Sequence, residues 1–393
     1  MQTKQPDQQL IHSKKLYLVY FLSFIFLGSA AAALGPALLQ LSRQTGTTLD
    51  RLSLIFPFRA GSYLFGSWLA GRLYDKFTGH RILRIGLIGL GVTLAITPYL
   101  GGLPILLAVL LGMGLSMGLV DVGCNTLMLR AVRNNSTAKM NSLHFFYGVG
   151  SFFSPLILAA AIEYSGDLQW GFSSLAVLSI IILLLLVGLG TPENHESEDL
   201  DLDSHKRKHT LWVVLIAVLF FFYVGMEVGF GNWVATYAVK MQFSGETQAA
   251  VLTSVFYGAY TFGRLISIPT STVIRPQRLL LGSYLGAALS LMLIVFLSKY
   301  SLVIWIGAVL LGLCLAAVFP TMLSWAGTIM PVSAKTTSWF FVTGGLGAVT
   351  IPWVIGQFVE SSPPIIIPSV ILGISLIALV IFSLTLQVVR KGS

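Results

Sequence analysis

The stretch TPENHESEDLDLDSHKRKH, residues 191 to 209, is the longest polar insert in the chain and decides how the rest is organised. Apolar runs lie on both sides of it, and it divides the chain into near-equal halves. Its acidic residues come first and its basic residues follow, which is typical of a solvated segment, with regulatory contacts as the alternative. We therefore interpret it as a linker between two parts of the chain, 1–190 and 210–393.

The composition of the whole chain sets its class. Of 393 residues, 55% are hydrophobic and 10% are charged, and the mean hydropathy is +0.83. Soluble domains carry about 25% charged residues, so these values indicate an integral membrane protein embedded in a lipid bilayer. The net charge is +9, but the basic residues are scattered singly between apolar runs. Such a pattern sets topology, and we expect no nucleic-acid partner.

Apolar runs long enough to cross a bilayer occur on both sides of the linker. A spanning helix needs about 20 mostly apolar residues. Twelve runs of about this length occur, six in each half. Their approximate limits are 16–41, 52–73, 82–100, 104–129, 140–162, 171–190, 211–239, 248–273, 279–297, 301–326, 336–359 and 365–389. We therefore predict an all-α membrane protein with twelve transmembrane helices.

The Lys and Arg residues at and beyond the ends of these runs predict the orientation. With the N-terminus inside, eighteen of the 24 Lys and Arg residues fall in cytoplasmic segments. Cytoplasmic loops carry an excess of Lys and Arg, so both termini and the linker are predicted to lie in the cytoplasm. We expect a multi-pass protein of the plasma or inner membrane.

The two halves resemble each other at a single offset. Sliding the sequence by 197 residues superposes glycines, a proline and charged residues of four of the six spans and their flanks. The matched pairs are Gly28 with Gly225, Gly66 with Gly263, Arg81 with Arg278, Gly89 with Gly286, Gly150 with Gly347, Pro155 with Pro352 and Glu163 with Glu360. This predicts two pseudo-symmetric six-helix bundles, an arrangement in which transporters bind substrate near the midplane and rock about that site.

The loop after span two carries a signature. Its sequence, GRLYDKFTGHR at 71–81, has a glycine, then Asp75, then basic residues. The pattern resembles the loop signature of the major facilitator superfamily, and the resemblance covers nearly all of the chain. It implies that Asp75 pairs with a neighbouring helix end and holds one conformation shut; the alternative is a solvated turn with ordinary positive-inside charge.

Three further motifs narrow the resemblance. They are DVGCN at 121–125, LHFFYGVGSFFSP at 143–155 and MEVGFGNWVATY at 226–237. Together they resemble the branch that contains fucose-proton symporters and sodium-dependent glucose transporters. The resemblance implies roles in sugar transport for five residues: Asp121, Asn125, Glu227, Trp233 and Tyr237. Span one here lacks the carboxylate that the bacterial fucose symporters carry, so proton coupling of their type does not follow.

The residue types by themselves are also those of a site that binds a sugar or an ion. Asp121 and Asn125 are four apart and lie on one helical face, where they can bind the same hydroxyl or ion. A sugar site needs acids and amides for paired hydroxyls and aromatic faces for the ring. The other candidates are Asn141, His144, Glu227, Asn232, Trp233, Tyr237 and Trp325. Core packing or a place in the aromatic belt at the membrane interface is the alternative for each aromatic residue, and an ordinary histidine between helices is the alternative for His144.

Charges inside spans need partners or an aqueous path. Asp121 is predicted to be the cation-coupling residue, taking up a proton or, with Asn125 and nearby carbonyls, a sodium ion. Arg59 and Arg264 are predicted to serve gating or structure by meeting an anion, a carbonyl or water. Glu227 either contacts substrate or braces span seven, and Arg264 could pair with it or with an anionic substrate.

These observations leave several functions open. The sequence contains no nucleotide-binding glycine loop and no His or Cys cluster with metal-ligand spacing, so we expect neither an enzyme nor a cofactor. Cation-coupled uptake of a hexose or related sugar by alternating access is favoured. Proton-coupled efflux of drugs or metabolites is the alternative, and a non-transporting receptor or scaffold is a more distant one. We expect a monomer whose substrate is a small molecule.

Overall fold

A computed structural model describes residues 6–132, 136–192, 210–330 and 334–392. Within these ranges the secondary structure is helical, and no strand occurs. The charged runs of the predicted linker, residues 193–209, lie outside the described residues.

The first half of the chain forms six long α-helices, one short α-helix and a 3-10 turn at Thr97–Tyr99. The α-helices are α1 (Pro6–Thr45), α2 (Leu49–Leu52), α3 (Ile55–Lys76), α4 (Gly79–Ile96), α5 (Leu103–Ala131), α6 (Ser136–Ser165) and α7 (Gln169–Leu185). Proline and glycine mark several of the ends. Pro104 stands in the first turn of α5, where its missing N–H costs nothing. Gly166, just after α6, has a φ of +74°, a conformation that glycine adopts without a steric penalty.

The second half repeats this plan with one interruption. Its helices are α8 (Thr210–Lys240), α9 (Glu246–Val273), α10 (Pro276–Phe296), α11 (Ser301–Ala316), α12 (Val318–Ile329), α13 (Ala334–Val359) and α14 (Ile366–Gly392). The predicted span at 301–326 is divided between α11 and α12, which meet at Ala317. Pro320 explains the break, because it can neither donate a hydrogen bond to Ala316 nor avoid its carbonyl.

The helices account for the twelve predicted spans and confirm an all-α, multi-pass membrane protein. In the described part of the chain, nine helical segments are long and apolar enough to cross a membrane, and α7 is a shorter apolar helix. The helices α3 and α9 are not among these segments. They carry Arg59 and Arg264, respectively, and they are related by the internal offset.

The chain forms two compact units. One contains Met1–Thr47 and Phe58–Glu198, and the other contains Thr48–Pro57 and Asp199–Ser393. The segment Thr48–Pro57 groups with the second unit although both its flanks belong to the first.

Glycines bring the same helix pair together in each unit. In the first unit α1 packs on α6, and a Cβ at Gly150 would collide with the backbone of Ile25. In the second unit α8 packs on α13, and a Cβ at Gly347 would collide with the backbone of Phe221. Small residues allow helix backbones in membranes to approach closely. Gly150 and Gly347 are related by the offset of 197, so the internal repeat of the sequence corresponds to a repeated packing contact.

Candidate functional site

The first cluster of polar groups surrounds Asp121 on α5. Tyr63 on α3 donates a hydrogen bond from Oη to Oδ2 of Asp121 at 2.5 Å. Asn125 donates from Nδ2 to Oδ1 of Asp121 and to its backbone carbonyl, both at 2.9 Å. Each carboxylate oxygen therefore accepts a hydrogen bond from an uncharged donor. We call Asp121, Asn125 and Tyr63 the Asp121 cluster.

The backbone approach of α3 and α5 makes this cluster form. A Cβ at Gly118 would collide with the backbone of Tyr63 and Ser67, and a Cβ at Gly66 would collide with the backbone of Leu115. Because both helices have glycine where they cross, the Tyr63 side chain reaches the carboxylate one turn further along α5.

No ion pair within the described ranges involves Asp121. Arg59 lies one turn before Tyr63 on α3, is 8% exposed, and donates from Nη1 to the backbone carbonyl of Ala31 at 3.2 Å. A carbonyl is one of the partners expected for a charge within a span. The carboxyl group of Asp121 is therefore held by neutral hydrogen-bond donors.

The second cluster surrounds Glu227 on α8. Tyr260 on α9 donates from Oη to Oε2 of Glu227 at 2.8 Å. Arg264 donates from Nη2 to the same Tyr260 hydroxyl at 2.6 Å, and its guanidinium lies 4.6 Å from the centre of the Tyr260 ring. Tyr223 Oη is 2.6 Å from Tyr260 Oη. We call these four residues the Glu227 cluster.

The number of protons that each group can donate fixes the direction of these hydrogen bonds. A phenol has a single proton, and that of Tyr260 is used for Glu227. Tyr223 must therefore donate to Tyr260, as Arg264 does. Arg264 and Glu227 belong to one cluster, as the sequence analysis considered, but the Tyr260 hydroxyl bridges them. In the part of the chain that the structure describes, the buried Nε of Arg264 has no hydrogen-bond partner.

The remaining candidates on α8 lie inside the second unit. Asn232 is 2% exposed and donates to the carbonyl of Val228 in its own helix at 2.8 Å. Trp233 is fully buried and donates from Nε1 to the carbonyl of Pro352 on α13 at 2.8 Å. Tyr237 is buried as well, with its ring 6.2 Å from that of Phe243. These side chains pack α8 within its unit.

Three further candidates lie on α6 and α12. Asn141 and His144 are exposed on α6, and the His144 ring lies edge-on to Phe24 with the centroids 5.6 Å apart. Trp325 on α12 is buried, with its ring 5.4 Å from that of Phe382.

Asp75 lies beside the end of a neighbouring helix, α5. Its Oδ1 lies 3.8 Å from Nη2 of Arg130 in the last turn of α5, and its side chain is 74% exposed. An exposed ion pair contributes about 0–1 kcal/mol. The geometry is thus that of a weak pair at the end of α5.

Glu360 at the end of α13 organises a contact that the sequence analysis missed. It accepts a hydrogen bond from the backbone N–H of Leu49 at 3.2 Å and pairs with Lys240 at 3.1 Å. Gln357, one turn earlier, donates to the carbonyl of Asp50 at 3.3 Å and to Ser53 Oγ at 3.0 Å. These bonds attach the segment Thr48–Pro57 to the second unit.

Sequence reasoning also missed the three tyrosines of the two clusters. Tyr63 and Tyr260 differ by 197 in residue number, the offset that superposes the glycines. The repeat therefore contained a signal for two of them, whereas nothing in the sequence distinguished Tyr223.

The types of side chain present limit the ions that could bind. Among the described residues, no group of three or more His, Cys, Asp or Glu side chains is placed to hold a metal ion. The oxygens of Asp121 and Asn125 are the type of ligand that hard cations prefer. A proton would require only the carboxylate.

Comparisons with known proteins agree with this architecture. The family model of the Major Facilitator Superfamily matches residues 16–352. The chain is 28% identical over 355 residues to sodium-dependent glucose transporter 1 of Xenopus laevis, covering 83% of this chain and 72% of that protein. It is 25% identical over 372 residues to sodium-dependent glucose transporter 1A of Mus musculus, covering 86% and 88%.

A solved structure shares the fold. The nucleoside transporter NupG superposes with a TM-score of 0.74 at 16% identity, covering 96% of this chain and 98% of that one. The family match spans most of the chain, and the helices follow the twelve-span pattern. The protein therefore belongs to the Major Facilitator Superfamily and is a transporter of that superfamily.

Proposed function

We propose that the protein is a secondary active transporter that couples uptake of a hexose or related sugar to a cation, by alternating access, with Asp121 as the coupling carboxylate. The relatives described above carry the names of sodium-dependent glucose transporters. The observation that carries the proposal is the Asp121 cluster, in which neutral donors hold both carboxylate oxygens.

The physical reason lies in the cost of a charge in an apolar surrounding. A bare carboxylate at membrane depth costs several kcal/mol unless it is neutralised or paired. A proton or a sodium ion that binds Asp121 removes this penalty. Conformational change is then favoured in the cation-bound state, which is the requirement for coupled transport.

The sugar contacts proposed for the first unit are polar groups near this carboxylate or on α6. Asn125 is bonded to Asp121, so a sugar hydroxyl that binds its amide would also affect the acid. Asn141 and His144 are exposed and can offer hydrogen bonds to a ligand. Trp233 and Asn232, whose polar groups are satisfied within the second unit, would serve by packing in this conformation.

The orientation is part of the proposal. We propose that both termini lie in the cytoplasm, because most basic residues outside the spans then lie inside. The two native cysteines, Cys124 and Cys314, are inside helices, so single cysteines can be introduced near the ends of the chain after both are replaced. An impermeant thiol reagent added outside whole cells should leave these cysteines unmodified, and labelling would contradict the orientation.

The decisive experiment is uptake in proteoliposomes. The purified protein should accumulate a radiolabelled hexose when a proton or a sodium gradient is imposed, and the gradient that works identifies the cation. The variant Asp121→Asn keeps the shape of the side chain but cannot change its charge. We expect it to exchange sugar across the membrane while losing gradient-driven accumulation.

The matched control is Asp167→Asn. Asp167 accepts a hydrogen bond from the backbone N–H of Gln169 at 2.8 Å just before α7, a contact that asparagine can also make. It should accumulate sugar like the parent. Accumulation by Asp121→Asn at the parent rate would make Asp121 a structural residue. Cation-driven export of a hydrophobic drug, with no hexose uptake, would favour the efflux class instead.

A further inference from the structure

Tyr63 and Tyr260 occupy equivalent positions in the two halves. Their residue numbers differ by 197, and each stands three residues before the matched glycines Gly66 and Gly263. In each unit, the tyrosine hydroxyl donates to a carboxylate on a neighbouring helix, Asp121 in one and Glu227 in the other.

The two carboxylates differ in position along the repeat. Asp121 lies on the fourth span of its half and Glu227 on the first of the other half, so the offset does not relate them. The tyrosine is thus the repeated element, and each half places its acid where this hydroxyl can reach it. In both halves, therefore, the tyrosine hydroxyl serves to bind a carboxylate.

The charges around the two hydroxyls differ. Tyr260 accepts hydrogen bonds from Arg264 and Tyr223, so the positive guanidinium and the negative Glu227 share one hydroxyl. The residue equivalent to Arg264 in the first half is Ser67. The Glu227 cluster therefore contains its own cation, whereas the described residues bonded to Asp121 are neutral.

We propose that Tyr63 and Tyr260 are equivalent positioning residues with different electrical roles. Tyr63 holds Asp121 ready to take up a cation, and Tyr260 joins Glu227 to Arg264 in a permanently charge-balanced cluster that does not respond to the cation. The first part rests on the coupling proposed above, and the second part does not.

The titratable groups around each hydroxyl are few. Tyr147 on α6 and Cys124 on α5 interact electrostatically with the Asp121 cluster, and Arg59 lies one turn from Tyr63. Around Tyr260 these groups are Tyr223, Glu227 and Arg264, already named. Removing the Tyr63 hydroxyl should therefore alter cation binding at Asp121. Removing the Tyr260 hydroxyl should instead alter the interaction between Glu227 and Arg264.

The test compares four tyrosine-to-phenylalanine variants in the full-length protein. Tyr63→Phe and Tyr260→Phe each remove a hydroxyl bonded to an acid. Tyr74→Phe and Tyr284→Phe are the controls, since Tyr74 donates to the carbonyl of Leu119 at 3.2 Å and Tyr284 lies 3.3 Å from Met322 Sδ. The readouts are the cation-induced shift of Tm in the purified protein, measured against sodium and against pH, and hexose counterflow.

The expected results separate the two roles. Loss of a hydrogen bond to a charged group should change the cation concentration at half-effect by about tenfold in Tyr63→Phe. The two control variants should keep the cation concentration at half-effect of the parent. Tyr260→Phe should lower Tm or the counterflow rate but keep the parent cation dependence. A Tyr63→Phe variant that behaves like Tyr74→Phe, or a Tyr260→Phe variant that moves the cation dependence equally, would overturn the inference.

A double-mutant cycle keeps the second half testable if Tyr260→Phe does not fold. Glu227→Gln and Arg264→Gln each leave one charge without its opposite, and the double variant removes both. If Glu227 and Arg264 balance each other, the double variant should lose less stability than the two single variants lose together. A loss equal to that sum would contradict the proposal. A parent that responds to neither cation overturns the coupling proposal and the role of Tyr63. If the parent responds to a cation and Tyr63→Phe has the same cation dependence as the parent, the inference about Tyr63 is overturned and the coupling proposal stands.

Discussion

The Asp121 cluster and the Glu227 cluster use the same donor for acids in different electrostatic settings. In the first, a tyrosine and an amide hold the carboxylate. In the second, a tyrosine lies between the carboxylate and a guanidinium. A carboxylate without a fixed cation is suited to binding a mobile one, and a carboxylate with a fixed cation is suited to holding helices together. The repeat thus provides the same tyrosine donor in each half, and the cation beside it in the second half, Arg264, corresponds to the neutral Ser67 in the first.

The largest expected difference comes from deleting each acid. Glu227→Ala leaves Arg264 without its counter-charge, and breaking a buried pair in this way costs about 3 kcal/mol or more. Asp121→Ala leaves two neutral donors unpaired, at about 1–3 kcal/mol each, but it also removes a charge that has no ionic partner in the described structure, and the relief of its desolvation offsets this cost. We therefore expect Glu227→Ala to lower Tm or expression severely and Asp121→Ala to lower it mildly. Thermal unfolding in detergent measures both, and equal losses would remove the distinction between the clusters.

The second comparison uses the glycines that define each unit. In Gly150→Ala and Gly347→Ala, the new methyl group meets the backbone of the facing helix, where overpacking costs about 1–3 kcal/mol. Gly61→Ala on α3 and Gly373→Ala on α14 are the controls, because nothing lies within 4 Å of a Cβ at either position. They should be neutral or slightly stabilising, since alanine is the better helix former.

The outcome tests whether the repeated contacts are equivalent. Similar losses of Tm in Gly150→Ala and Gly347→Ala would support equal packing of α1 on α6 and of α8 on α13. A loss of Tm in only one of the two variants would show that the repeated helix contacts do not contribute equally to stability. Losses in the two control variants would indicate a general cost of the methyl group in these helices.

The spans could be predicted from the sequence because the bilayer fixes their length and polarity. Twelve apolar runs needed no knowledge of partners, whereas the division of the run at 301–326 was not predicted, because prolines such as Pro155 also stand inside unbroken helices. The glycine pairs could be found for a similar reason, since close packing at a repeated position leaves a repeated small residue. Local and periodic features were therefore accessible.

The contacts between distant side chains were not accessible. Tyr63 and Asp121 are 58 residues apart, and their meeting depends on the rotation of two helices about their axes. The Glu227 and Arg264 pairing was considered, but the hydroxyl between them depends on the same rotations. Trp233 presented the residue type of a sugar site, yet its indole N–H is bonded to a carbonyl 119 residues away. A single sequence does not specify such geometry.

A smaller effect is expected from the two amides that follow each acid. Asn125 and Asn232 both donate to a carbonyl four residues earlier, but only Asn125 also reaches a carboxylate. Asn125→Ala should move the cation concentration at half-effect in the uptake assay by about tenfold or more, since hydrogen bonds to charged groups contribute about 1.5–3 kcal/mol. Asn232→Ala should leave that dependence unchanged whatever it does to sugar affinity. Parallel shifts in the two variants would mean that the amides act through the fold rather than through Asp121.

The smallest effect is expected at Asp75, the acid of the loop signature. Its side chain is 74% exposed, its distance to Arg130 is 3.8 Å, and Arg130 also donates to the carbonyl of Tyr74 at 3.4 Å. An exposed pair is screened by salt and contributes about 1 kcal/mol or less, so Asp75→Asn should leave Tm nearly unchanged. If the pair favours one conformation, the uptake rate changes by no more than about fivefold at low salt, and the difference disappears at high salt. Uptake at several salt concentrations tests this. A large loss of rate that salt does not alter would show that Asp75 holds a conformation shut through a contact stronger than this pair, as the resemblance to the superfamily's loop implies.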